Sequence, residues 1–307
     1  MNATLSLDLD NKWSYMKTHG DAGWEAFPSY LDLVVPRVLA FLEQNRLRIT
    51  VFIVGQDAAL VKNRDRLRSI ALAGHEIGNH SFHHEPWLHT RSAQQIESEI
   101  ARAEEAIESA TGCKPRGFRG PGFTRSPEIL CSLARRGYAY DASTFPTFIG
   151  PLARAYYFRT STLDSEAMHE REALFGQFSD GFEQNVFHRV DTADGSIAVI
   201  PVTTMPGLRL PIHVSYLLYL AGISPGLARA YFRFALALCR ITRTEPSILL
   251  HPLDFLGAGD CPELQFFPAM NLPAAVKLDV VRDACDQLSS SFRVRPLLEY
   301  ATERGRA

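Results

Sequence analysis

Short apolar runs rich in β-branched residues alternate with helix-patterned segments along almost the whole chain. Residues 3–9 alternate apolar and polar side chains, and residues 48–55, "RITVFIVG", form a β-branched run that ends in glycine. Between them, residues 30–46 repeat apolar side chains at helical spacing. A helix is expected over 57–73 and a short strand in "GHEIGNH", ending at His80. Residues 92–111 open on Ser92 and Gln95 as a capping box and close on a glycine. "RGFRGPGF", "SPEILCSLARRG" and "YAYDAS" continue the alternation, as do residues 196–204, residues 247–255 and a last helix over 272–290. Such an order predicts parallel strands joined by helical crossovers. The expected fold is α/β, a closed or nearly closed deformed (β/α) barrel of seven or eight strands, TIM-like in plan, with a helical insertion.

The length of 307 residues would admit two domains, but barrels of this plan reach that size as one, so a single domain over 1–307 is expected. Residues 149–194 and 206–241 break the alternation and read as insertions covering the barrel. A net charge of -2 and the lack of a basic stripe exclude an electrostatic case for nucleic-acid binding. Five dispersed cysteines without a Cys-x-x-Cys pair suit reduced thiols. "MNATLSLDLD" enters a strand pattern at once, without a basic and then apolar leader, so a cytoplasmic location is expected. No apolar run approaches the ~20 residues of a membrane-spanning helix.

In such barrels the chemistry sits at the carboxyl ends of the strands. Those ends carry Asp8 and Asp10, then His80 with His84 four residues on, then Arg119, Asp141, and His251 with Asp254. Histidines at i and i+4 share one side of a helical turn and can offer two imidazoles to one ion; a distant carboxylate would complete a three-ligand site with an open position. Taken singly, each residue has an ordinary explanation. The aspartates could cap a loop, Arg119 could sit in a surface turn, and His251 could be a satisfied core histidine. Together they would be coincidences at successive strand ends.

The same residues resemble the polysaccharide deacetylases of carbohydrate esterase family four. The resemblance rests on Asp8-Leu9-Asp10, His80-Ser81-Phe82-His83-His84, Arg119-Gly120-Pro121-Gly122, Tyr140-Asp141-Ala142-Ser143 and Leu249-Leu250-His251-Pro252. It implies a divalent ion, usually Zn2+ with Co2+, Ni2+ or Mn2+ as alternatives, held by Asp10, His80 and His84, with His83 a bystander. Asp8 would be the general base, Arg119 its ion-pair partner, and His251 the general acid. Leu249 would line a slot for the acyl methyl, and a backbone N–H after Pro121, at Gly122 or Phe123, would face the substrate oxygen. The acidic pair is split by Leu9, as in a divergent Asp-x-Asp branch of the family. The fourth segment lacks the family's Asp-Trp, so either Asp141 or Asp254 could support His251.

The implied reaction is removal of an N-acyl group from an amino sugar. A sugar on a polyprenyl-phosphate carrier, met at the inner membrane face, would suit the aromatic and arginine residues of "PLARAYYFR" (151–159) and "GLARAYFRF" (226–234). The same residues would equally suit amphipathic helices packed on the barrel. An amidase acting on a small cyclic ureide or imide is the other enzymatic reading, and an inactive glycan- or partner-binding barrel the non-enzymatic one. Oligomeric state is open.

Overall fold

The computed structural model describes residues 1–152 and 177–305. Among these, nine strands form one sheet: β1 (Asn2–Leu9), β2 (Thr50–Ile53), β3 (Glu76–Asn79), β4 (Gly117–Phe118), β5 (Tyr140–Asp141), β6 (His188–Thr192), β7 (Gly195–Val199), β8 (Ser247–Leu250) and β9 (Arg293–Arg295). Their order is β6-β7-β5-β4-β3-β2-β1-β8, with β9 also on β1. All pairings are parallel except β6 with β7. This is the α/β, deformed-barrel arrangement expected, with β6 and β9 added.

The two-residue period of β1 explains how it divides its side chains. Ala3, Leu5, Leu7 and Leu9 pack in the main core with Val34, Val38 and Phe41 of α2 (Leu31–Gln44). Thr4, Ser6 and Asp8 point to the opposite face and are also buried. Deeper on that inner face, Phe52, Tyr140, Ala198 and Ile200 meet Leu297, Tyr300 and Ala301 of α10 (Leu297–Arg304), which plugs the barrel. Gly78 is required there: a Cβ would lie 2.4 Å from the Phe52 ring.

The ladder is interrupted between β7 and β8. The Thr203 N–H donates to the Ser247 carbonyl at 2.9 Å, and the Ser247 N–H to Thr203 Oγ1 at 2.8 Å. The barrel thus closes through one crossed pair rather than a strand ladder.

Six helices accompany the first five strands: α1 (Lys12–His19), α2, α3 (Gly55–Ala59), α4 (Arg64–Leu72), α5 (Ala93–Thr111) and α6 (Pro127–Arg135). The single helix expected over 57–73 is two, because Leu60 is extended and a turn at Val61–Asn63 separates α3 from α4. The Ser92/Gln95 capping box of α5 is present. Residues 206–241 contain α7 (Val214–Ile223) and α8 (Pro225–Ile241), which pack with α9 (Ala274–Ser291) in the helical layer around β8. Of the segment 149–194, residues 188–192 form β6, and 153–176, with most of "PLARAYYFR", lie outside the described residues. Among the described residues no helix is long and apolar enough to cross a membrane.

Candidate active site

Asp10 lies one residue beyond β1 and continues the inward phase of Ser6 and Asp8. Its Oδ1 is 2.9 Å from His84 Nε2 and 3.1 Å from His80 Nε2. All three side chains are buried, and their ligand atoms lie within 4.8 Å of one another. His80 Nδ1 meets the Arg119 carbonyl at 2.6 Å. A carbonyl can only accept, so Nδ1 carries a proton and Nε2 is the nitrogen turned to Asp10, the orientation a metal-ligating imidazole needs. Burial opposes the Asp10 charge, yet His84 and the hydrogen bonds from both histidines hold its carboxyl well below the usual range. Two imidazole nitrogens and one carboxylate oxygen form a donor set that fits a divalent ion such as zinc.

The loop carrying the histidines corrects one expectation. His80 and His84 do not share a helical turn; residues 80–84 are irregular, with left-handed backbone at Ser81 (φ 62) and His84 (φ 53). The surroundings satisfy the loop's backbone, so it needs no helix of its own. Gly55 and Gln56, opening α3, donate to the carbonyls of Ser81 (2.8 Å) and Phe82 (3.0 Å). Glu99 of α5 accepts from the N–H groups of Phe82 (3.0 Å) and His83 (2.5 Å), and its Oε2 meets His83 Nδ1 at 2.7 Å. His83 therefore stands outside the ligand set, but it ties the loop to α5.

Asp8 is paired with Arg119, whose Nη1 donates to Asp8 Oδ1 at 2.7 Å and to Ser6 Oγ at 2.9 Å. Arg119 is fully buried, with Nε donating to the Ala142 carbonyl and its guanidinium 4.4 Å from the Phe52 ring centroid. Phe123 gives its N–H to the Gly120 carbonyl, which leaves Gly122 as the better placed donor of the two. Leu249 is fully buried on the inner face, paired in register with Ser6.

β8 runs beside β1 with Leu250 opposite Leu7, which brings His251 to the strand end that carries Asp8 and Asp10. The structure separates the two aspartates considered as its support. Asp141 turns to Ser143, whose hydroxyl and N–H both donate to Asp141 Oδ1, and Ser143 Oγ in turn accepts from the Gly120 N–H at 2.8 Å. It braces the 119–122 loop and has no contact with His251. Asp254 is the one at His251: its Oδ2 accepts the His251 backbone N–H at 2.8 Å.

Further residues around the site carried no recognisable sequence signal. The Tyr30 hydroxyl donates to the Asp10 carbonyl. Asp57, buried, accepts at Oδ1 from Asn11 (2.7 Å), Trp13 (3.0 Å) and Asn63 (3.0 Å), pinning the turn after β1. Burial pushes its carboxyl up to about 7. His213, whose ring centroid is 6.4 Å from that of His251, is pushed by burial, and then by His251, down to about 3. Each acts through distant partners, so neither spacing nor composition marks it.

The sequence pattern of the family described as polysaccharide deacetylase matches residues 21–140. Peptidoglycan-N-acetylmuramic acid deacetylase PdaA of Bacillus subtilis is 36% identical over 105 residues, 34% of this chain and 38% of that protein. A chitin deacetylase of Colletotrichum lindemuthianum is 34% identical over 106 residues, 34% of this chain and 42% of that protein. The chain thus spans less than half the length of either relative. In fold, a polysaccharide-deacetylase-like protein of Mycobacterium smegmatis superposes with a TM-score of 0.63 at 20% identity, covering 100% of this chain and 92% of that one. Residues 21–140 are thus similar to the polysaccharide deacetylase family, and the chain as a whole shares the fold of the Mycobacterium smegmatis protein.

Proposed function

We propose that this protein hydrolyses the N-acyl group, an acetyl, of an amino sugar with a divalent ion, zinc, held by Asp10, His80 and His84. The observation that carries the reading is the convergence of those three buried ligand atoms beside the Asp8–Arg119 pair. When bound there, the ion supplies Lewis-acid polarisation of the amide and acidifies water. Asp8 takes the proton of the attacking water, oriented by the hydrogen bond from Arg119. The Gly122 N–H faces the acyl oxygen as charge develops on it. Leu249 walls the acyl methyl on the inner face, and His251 protonates the departing nitrogen.

The substrate we favour is a sugar on a polyprenyl-phosphate carrier, met at the cytoplasmic membrane face. Residues 195–244 contain no Asp or Glu but five arginines. On α8, Leu227, Phe234 and Ile241 recur at helical spacing and are all exposed, with Arg233 and Arg240 beside them. An exposed apolar stripe flanked by arginines suits an anionic lipid surface.

Elemental analysis beside mass spectrometry of products, from free, polymeric and lipid-linked N-acetyl sugars, tests the reading. We expect one divalent ion per chain, lost in His80→Ala and Asp10→Asn, and kept in an inactive Asp8→Asn. Equal metal content in wild type and His80→Ala, or no N-deacetylated product from any sugar, would sink it.

A further inference from the structure

Ser215 opens α7 far in sequence from any strand-end signature, yet its hydroxyl sits between two groups of the site. Ser215 Oγ is 2.7 Å from Asp254 Oδ1 and 3.1 Å from His251 Nδ1. We infer that Ser215 and Asp254 are positioning residues that fix the proton on His251 Nδ1, so that His251 delivers its other proton from Nε2; the inference rests on the reading of His251 as general acid.

The direction of each hydrogen bond follows from counting protons. An ionised carboxylate only accepts, so the Ser215 hydroxyl gives its single proton to Asp254. That hydroxyl can then only accept from His251, which requires Nδ1–H in the neutral and the charged imidazole alike. Asp254 is further anchored by the His251 backbone N–H at Oδ2, so ring and carboxylate are tied at two points. In the reaction the Nε2–H proton moves to the departing nitrogen as the bond from that nitrogen to the acyl carbon breaks. Neutral His251 remains, still bonded through Nδ1–H to Ser215, and no tautomer change is needed before the next proton arrives.

The groups facing this unit come from three other places. His213, the residue before α7, is held neutral by burial and so adds no second positive charge beside His251. Tyr15 of α1 and Lys277 of α9 lie near Asp254, each interacting with its charge. Burial raises the Asp254 carboxyl; His251, its backbone N–H, Ser215 and Lys277 oppose that rise. Asp141, committed to Ser143, cannot substitute.

The test compares Ser215→Ala, Ser215→Thr and Asp254→Asn with wild type as purified full-length, zinc-loaded protein. Turnover is measured across pH on an N-acetyl amino sugar and on p-nitrophenyl acetate, whose leaving group departs without a proton. We expect Ser215→Ala to lose ~10–100-fold on the amide, part of the ~10²–10⁴ a positioned acid supplies. Its alkaline limb should shift, its aryl-ester rate and metal content should stay near wild type, and Ser215→Thr should recover the amide rate. Nitrogen-15 NMR of the histidines provides a readout independent of turnover: Nδ1–H at His251 in wild type, and a mixture of tautomers in Ser215→Ala. If wild type cleaves no amide yet shows the Nδ1–H tautomer and its loss in Ser215→Ala, the proposed reaction fails while the positioning unit stands. An Nε2–H tautomer in wild type, an unchanged pH profile in Ser215→Ala, or equal losses on amide and aryl ester would overturn the inference.

Discussion

Asp57 shows how a single residue can support the site without touching it. Its Oδ1 gathers three N–H donors around the turn after β1, while Oδ2 is buried without a partner. With its carboxyl raised from 3.8 to about 7, the folded protein binds a proton that the unfolded chain has released. The stabilisation from that proton is full below about pH 4 and is lost as pH rises through about 7. At about 1.4 kcal/mol per unit, the loss is on the order of 4 kcal/mol. Asp57→Asn cannot titrate, so denaturant unfolding from about pH 5 to about pH 8 should show wild type losing stability relative to the variant. Parallel curves would refute the assignment. Asp8 and Asp10 were visible in the sequence because an Asp-x-Asp pair at a strand end keeps one face. Asp57, Glu99 and Ser215 were not visible, since what they do depends on partners that include ones 46, 16 and 36 residues away, respectively.

Among the elements, the 80–84 loop and α8 mark opposite limits of pattern reading. The spacing of His80 and His84 pointed to a shared ion, but the helical turn that was to present them is absent. Backbone donors from α3 and the Glu99 carboxylate replace the helix's own hydrogen bonds. α8 follows its pattern closely: Ala228, Phe232, Ala235 and Cys239 are buried, while Leu227, Phe234 and Ile241 remain outside. If that outer stripe meets a membrane, Phe234→Asp with Arg233→Glu should abolish co-sedimentation with vesicles rich in anionic lipid. Metal content and turnover on a soluble sugar should be unchanged. Equal sedimentation of wild type with neutral and anionic vesicles would remove the electrostatic part of the proposal.

At the scale of the molecule, the barrel depends on its seam. Thr203 and Ser247 are both almost fully buried, and the Thr203 hydroxyl accepts a backbone N–H that water cannot reach. Thr203→Val keeps the shape and strands that donor, at a cost of about 1–3 kcal/mol. Urea unfolding should register the loss, whereas an unchanged midpoint would show that the seam is closed by packing instead.

Alternation of strand and helix patterns determined the α/β plan, and phase along each strand determined which polar residues face inward. Both are local consequences of backbone period, so they are written in consecutive residues. The capping box at Ser92 and Gln95 and the candidate ligands belong to this class. Only tertiary structure decided that Asp254 and not Asp141 meets His251, that α10 plugs the barrel, and that Ser215 stands between acid and carboxylate. Those contacts join segments distant in sequence, and a hydroxyl or a carboxylate gives no advance sign of which neighbour will fill its hydrogen bonds.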